Sequence, residues 1–246
     1  MKNTRPSFQK HRTSNIEHPT SKAHGLEAHS MLGVRRWMFD VLFFICLCFV
    51  LAIHVSVNAQ QSDLNLQPIF NGKDLSGWKV PEPNPFWKVT DGVLVGENDE
   101  KLKGSMLYTT RSYTNIILEL EARWTGEIDS GVMLRQPELQ VQFGVSRSLK
   151  RDMTGSFYVT KTAFQPKSGY PEASQAKNVE KLLKPGDWNK FRIQAKGDTF
   201  TVWLNGEQVS QFKDANYSGG APIGLQIHPG LKMKVEFRNV RAKTLE

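Results

Sequence analysis

Apolar and polar residues alternate with a period of two along most of the chain beyond residue 60, and turn-forming residues interrupt the alternation at short intervals. Side chains two apart on a strand share a face. The pattern therefore predicts strands over residues 92–95, 116–124, 131–135, 139–143, 155–160, 189–195, 223–228 and 234–243. Residues 200–212, FTVWLNGEQVSQF, place Asn205-Gly206 between two β-prone runs. That pair favours a two-residue hairpin turn because both residues tolerate positive φ. The one helical pattern is short, over 173–183, and residues 146–187 are otherwise less regular. Together these elements predict an all-β sandwich of two antiparallel sheets with one long irregular loop region.

The first 59 residues have a different character. Residues 1–36 are polar and basic, and VLFFICLCFVLAIHVSV follows over 41–57. That run has the length of a secretory hydrophobic segment and falls short of the roughly 20 apolar residues a bilayer span needs. It leads into Val57-Asn58-Ala59, which predicts cleavage after Ala59. Arg35 and Arg36 supply a basic start to the signal, so Met31 is the expected initiator. Residues 1–30 would then be an extension, 31–59 a signal peptide and 60–246 a single folded domain. The alternative is an uncleaved signal anchor, which would tether the protein to a membrane through that segment alone. Either reading makes the folded part secreted or periplasmic.

Composition changes meaning once that segment is set apart. Cys46 and Cys48 both lie in the apolar run, so the expected mature chain has no disulfide, thiolate nucleophile or cysteine metal site. Seven of the 32 Lys and Arg and three of the 24 acids precede residue 60; the remaining 25 basic and 21 acidic residues carry +4 rather than the full chain's +8. No nucleic-acid partner is expected from so modest a charge.

Splitting the strands by parity gives each one an apolar and a polar face. Val132 and Leu134 oppose Met133 and Arg135; Leu139, Val141 and Phe143 oppose Gln140 and Gln142. Phe157 and Val159 oppose Ser156, Tyr158 and Thr160, while Ile223, Leu225 and Ile227 oppose Gly224, Gln226 and His228. If these strands are neighbours, Arg135, Gln140, Gln142, Tyr158, Gln226 and His228 converge on one surface. Amides, a guanidinium and a phenol suit vicinal hydroxyls and carbonyls, and hence a sugar-like ligand. A polar face turned simply to water is the alternative.

His228 is the one histidine after residue 59. A zinc site needs at least three protein ligands, so one imidazole without cysteine does not make one. A harder divalent cation stays open, although no EF-hand or HExxH pattern occurs. An imidazole has the intrinsic pKa of a general base; a structural residue at a strand end is the other reading. Glu138, Asp152 and Glu172 could serve a two-carboxylate glycosidase, but no spacing singles out two of them.

The residues in order resemble the 3-keto-disaccharide hydrolase family. PIFNGKDLSGW, FWKVTDGVLVG, SGVMLR, LQVQFG, TGSFY, LKPGDWNKFRIQAKGDTFTVWLNGEQV and GAPIGLQIHPGLKMKVEFRNVRAK carry the resemblance, over roughly 66–243. It implies a concanavalin-A-like jelly roll with a sugar-binding face, acting on glycosides already oxidised at carbon 3. A ketone there acidifies the carbon 2 proton, so a base can start elimination of the carbon 1 substituent, with hydration completing a net hydrolysis. Arg135, Gln142, Gln226 and His228 match the family's pattern; on chemical grounds His228 or Tyr158 is expected to transfer protons and Arg135 or Lys161 to polarise the ketone, while Gln140, Gln142, Gln226 and Glu138 hold the sugar. Many relatives read Glu-x-Gln and then an acidic residue where this chain has Gln140-Val-Gln142-Phe-Gly-Val145. That departure removes two carboxylates from any metal site and favours a non-catalytic glycan-binding module of the same fold. Arg135, Gln226 and His228 favour the enzyme. A structural cell-surface sandwich would bind no sugar.

Overall fold

The computed structural model describes residues 65–159 and 174–246. The signal segment, Thr160, Lys161 and Glu172 lie outside the described residues.

The first eight strands are β1 (Gln67–Pro68), β2 (Trp78–Lys79), β3 (Trp87–Thr90), β4 (Val93–Glu97), β5 (Ser105–Tyr113), β6 (Ile116–Trp124), β7 (Asp129–Leu134) and β8 (Leu139–Ser146). After them come β9 (Arg151–Asp152), β10 (Phe157–Val159), a single helical turn α1 (Val179–Leu182), β11 (Asn189–Lys196), β12 (Thr199–Leu204), β13 (Glu207–Lys213), β14 (Ala221–Ile227) and β15 (Lys234–Thr244). They form two antiparallel sheets. One runs β13-β12-β11-β6-β15-β4-β3 with β1 against β15; the other runs β10-β8-β7-β14-β5-β2 with β9 against β8.

The alternating apolar positions face each other across the sandwich. Leu139, Val141 and Phe143 of β8, Val132 of β7 and Leu225 of β14 meet Leu118, Phe191, Phe200, Val202 and Phe237 of the opposite sheet in one buried cluster. Phe143 lies 4.2 Å from Phe191 between ring centroids, and Phe157 lies 5.8 Å from Phe212. These tilted contacts lock the two layers together.

The predicted strands form, the short strands β1, β2, β3 and β9 join them unpredicted, and three further differences bear on the site. The helix predicted over 173–183 shrinks to one turn. Strand β5 was not expected, because its buried positions are Leu107, Thr109 and Tyr113, which combine a polar residue with a break in the alternation. Thr109 is nevertheless buried, donating to the Arg111 carbonyl and accepting from the Ile223 amide. Third, β7 begins two residues earlier than predicted, at Asp129, and ends before Arg135.

That last difference relocates Arg135. The residue has φ of 64°, which breaks the parity that would have put its side chain beside Met133. Its guanidinium folds into the end of the sandwich, donating to the carbonyls of Ser218 (3.2 Å) and Gly197 (3.0 Å) and to Asn115 Oδ1 (3.3 Å). It lies 5.3 Å from the centre of the Phe200 ring, and the residue is 3 % exposed. Burial lowers its pKa from the usual arginine range. Arg135 therefore ties three loops to the core and does not join the amides of the polar face, contrary to the expectation that it shares their surface.

Candidate functional site

The strands predicted to share a surface are neighbours. The order β10-β8-β7-β14 places Tyr158 opposite Gln140, Gln140 opposite Met133 and Met133 opposite Gly224; in the next row Gln142 faces Gly131 and Gly131 faces Gln226. The third row holds Asp129, whose carbonyl accepts the His228 amide at 3.2 Å just past the end of β14.

This face is not simply turned to water. Gln140 and Asp129 are 4 % exposed and Gln142 is 1 % exposed. They are satisfied by one another, as buried polar groups must be. Asp129 Oδ1 accepts from Gln142 Nε2 at 2.8 Å; Gln142 Oε1 accepts from Gln140 Nε2 at 2.6 Å; and Gln226 Oε1 also accepts from Gln140 Nε2, at 2.9 Å. Gln140 Nε2 further approaches the Ser130 carbonyl at 3.2 Å. Its two hydrogens thus serve three acceptors. The direction of the chain starts at the carboxylate, which can only accept, and it leaves the Nε2 donors of Gln226 without a protein acceptor among the described residues.

Two glycines make room for this floor. A methyl group on Gly131 would lie 2.6 Å from Gln140 Nε2, and one on Gly224 would lie 2.5 Å from the Tyr108 ring. Gln140 and Tyr108 therefore lie flat along the sheet where an ordinary side chain would have propped them away.

His228 is held from several sides. Its carbonyl accepts from Asn98 Nδ2 at 2.9 Å, and its Nδ1 is 2.8 Å from the Pro229 carbonyl. A carbonyl can only accept, so Nδ1 carries the hydrogen and the neutral ring keeps its lone pair on Nε2. Nε2 lies 3.9 Å from Asp129 Oδ2, with the His228 side chain 35 % exposed. The loop after β8 closes over this end: the Arg147 amide donates to Asp129 Oδ2 at 2.8 Å, and its guanidinium donates to the Gly230 carbonyl at 2.8 Å. Next to it, Ser148 Oγ is 2.8 Å from the Tyr158 hydroxyl.

At the other end of the face, Tyr108 donates to Glu138 Oε1 at 3.3 Å. Burial, and then the Glu138 charge, push the Tyr108 phenol above its ordinary pKa. A cavity of about 260 Å³ opens beside this pair, lined by residues that include Lys79, Tyr108, Met133, Arg135, Glu138 and Pro222.

The structure thus brings Gln140, Gln142, Gln226 and His228 into one network and sets Tyr158 at its edge and Glu138 at its far end; Arg135 lines the cavity beside Glu138 but turns its guanidinium to Ser218, Asn115 and Gly197. Asp129, Tyr108 and Arg147 were not singled out from the sequence. Asp129 was within reach of the same parity argument, since it stands two and four residues before Gly131 and Met133. Among the described residues no three His, Cys, Asp or Glu side chains gather as a metal site; Asp129 and His228 alone would give a cation too few protein ligands.

Two packed antiparallel sheets with a polar, networked outer face define a jelly-roll sandwich. The chain belongs to the family of the 3-keto-alpha-glucoside-1,2-lyase-like domain, which matches residues 65–243, and this membership makes it a carbohydrate-active jelly-roll protein. Among solved structures it is similar to a "putative glycosyl hydrolase" of Parabacteroides distasonis ATCC 8503, at 22 % identity and a TM-score of 0.57, over 74 % of this chain and 100 % of that one. It is also similar to a laminarinase from Flavobacterium sp. UMI-01, at 12 % identity and a TM-score of 0.53, over 72 % of this chain and 98 % of that one. Both likenesses concern the fold. No curated protein matches the chain.

Proposed function

We propose that the protein is an exported enzyme that cleaves glycosides oxidised at carbon 3, with His228 as its base. The observation that carries this reading is the Nδ1 contact to the Pro229 carbonyl, which leaves Nε2 as a proton acceptor beside the Asp129 carboxylate. Export rests on the apolar run over 41–57.

In this mechanism Nε2 takes the carbon 2 proton, and the electron pair becomes an enolate across carbons 2 and 3 with the charge on the carbon 3 oxygen. The Gln226 Nε2 donors stabilise that oxygen. The pair then forms the carbon 1–carbon 2 double bond as the bond from carbon 1 to the leaving oxygen breaks and the ketone is restored. The imidazolium hands its proton to the leaving oxygen, and Asp129 stabilises the imidazolium meanwhile. Water adding its oxygen to carbon 1 and a proton to carbon 2 completes a net hydrolysis. Tyr158 and Gln140 contact sugar hydroxyls; Arg135 has no part in the chemistry.

A second reading, a glycan-binding module, draws on Gln140 and Gln142, whose amides already donate to neighbouring side chains and are held as fixed groups. Incubating the purified protein with a 3-keto-glucoside in deuterated water, with and without a chelator, separates the two by proton NMR. Release of the leaving group with deuterium at carbon 2 supports the enzyme, and chelator sensitivity would add a cation to it. Shifted resonances without turnover support the module.

A further inference from the structure

We infer that the outer face of the larger sheet is a docking surface for an acidic polysaccharide, a chain that carries a carboxylate on successive sugars. On β6, β11 and β15 core residues alternate with outward ones, and the outward ones are charged out of balance. Eight of them are Lys or Arg and three are Glu. That excess of positive charge is larger than the +4 carried by all residues after 59 together. The net charge of the folded part is therefore gathered on this one face, and the remainder is close to neutral.

Ion pairing within the face does not cancel the excess. Glu119 is shared by Lys190, Arg192 and Arg241, Glu236 by Arg123 and Lys234, and Glu121 holds Arg238. A shared carboxylate neutralises only one of the cations it touches. Lys196 and Lys243 are exposed on the same face and have no carboxylate partner among the described residues. The sheet also fixes where the cations stand. In register, Glu119 lies between Arg192 and Arg241, and Glu121 between Lys190 and Arg238. The cations flanking one carboxylate are rooted two strand spacings apart, about 10 Å, and the two rows lie about 7 Å apart. Such a grid engages repeated carboxylates at several points at once, while a single carboxylate gains little from any one half-shared cation.

An anionic bilayer is a poorer match. Adsorption to lipid draws on apolar side chains that enter it as well as on charge. Among the described residues the exposed large apolar side chains are Val80 and Leu102, and neither belongs to this sheet. Trp188 is clamped between the guanidiniums of Arg123 at 4.5 Å and Arg238 at 4.1 Å and is not free to insert. The face lies on the opposite side of the sandwich from His228, so it would anchor a polymer and not the reacting sugar, and it stands whichever way the chemistry at His228 falls.

The test titrates the purified protein by calorimetry with four probes: an oligogalacturonate about ten sugars long, galacturonic acid, a neutral malto-oligosaccharide of equal length, and phosphatidylglycerol vesicles. The oligogalacturonate is expected to bind at least about tenfold more tightly than the other three. It should weaken at least about tenfold as sodium chloride rises from about 0.05 M to about 0.5 M, which shortens the screening length about threefold. Lys196→Glu combined with Lys243→Glu should weaken that binding about tenfold and leave the urea midpoint at the wild-type value, because neither lysine supports a carboxylate. Lys101→Glu combined with Lys103→Glu, an equal change of charge in the loop before β5, should stay within about threefold of wild type. Any one of four results overturns the docking surface: no binding of the oligogalacturonate, equal affinity for the neutral chain, tighter binding to the vesicles, or equal losses in the two paired variants.

Discussion

Asp129 and His228 face each other where β7 begins and β14 has just ended, joined through their backbones at 3.2 Å and with carboxylate and imidazole 3.9 Å apart. The pairing register fixes that meeting, since Ser130 pairs with Ile227 and the next residue on each strand must then be a neighbour. The two side chains consequently move as one unit with the sheet. Their contact is too long for a hydrogen bond in the neutral state and becomes an ion pair when the ring gains a proton, which is the state the proposed mechanism must stabilise.

Asp129→Asn should therefore lower kcat by roughly tenfold to a hundredfold, less than the loss of the whole base, and leave KM within about twofold. The same substitution sets an amide donor against either the Arg147 amide or Gln142 Nε2, both of which now donate to the carboxylate. It should cost about 1–3 kcal/mol of stability on that account. Steady-state kinetics and urea unfolding of one preparation measure both effects. His228→Ala should abolish turnover, and full turnover there would remove the imidazole from the chemistry.

Arg135 provides the opposite outcome. Its guanidinium holds Ser218, Gly197 and Asn115, so Arg135→Met should destabilise the protein by about 2–4 kcal/mol through the acceptors it abandons. Activity of the folded fraction, measured well below the melting temperature, should stay within about threefold. A selective loss of kcat without loss of stability would return Arg135 to the site.

The architecture was readable in the alternation because inward positions such as Leu139, Val141 and Phe143 are uniformly apolar, and a strand with one buried face leaves that trace. The site was readable only in part, for physical reasons that differ by residue. Gln140, Gln142, Gln226 and His228 kept parity with their strands. Arg135 lost it through one left-handed residue, which no periodicity records. Tyr108 sits on a strand whose buried Thr109 hides the alternation. Arg147 reaches the Asp129 end of the face through contacts to Asp129 and Gly230, between segments far apart in sequence that no local pattern joins.

Gly131 should tolerate no side chain. A methyl there meets the Val141 carbonyl at 2.5 Å as well as Gln140 Nε2 at 2.6 Å, and the carbonyl belongs to the paired strand and cannot swing aside. Gly131→Ala is expected to cost about 1–3 kcal/mol and to displace Gln140 from Gln142 and Gln226. Calorimetric melting gives the first effect. The second should appear as weaker sugar binding than the stability loss alone explains, and a variant of wild-type stability would show that the strands separate more readily than their packing indicates.

The other sheet carries a charge cluster that should govern acid stability. Glu119 is buried, with a side-chain exposure of 3 %, beneath Lys190 at 3.2 Å, Arg241 at 3.0 Å and Arg192. Burial alone would raise its carboxyl pKa, but Arg192 and Lys190 together outweigh burial and lower it. A carboxyl depressed in the folded state contributes stability that is fully present above its unfolded pKa of about 4.3 and is lost as pH falls through the lower folded value. Glu119→Gln should thus destabilise the protein at pH 7 by about 3–5 kcal/mol, since three cations lose their counter-charge, and the gap to wild type should narrow as pH falls below about 4. Unfolding by urea at a series of pH values measures it. A gap that stays constant down to pH 3 would mean that Glu119 acts through shape and hydrogen bonding and not through its charge.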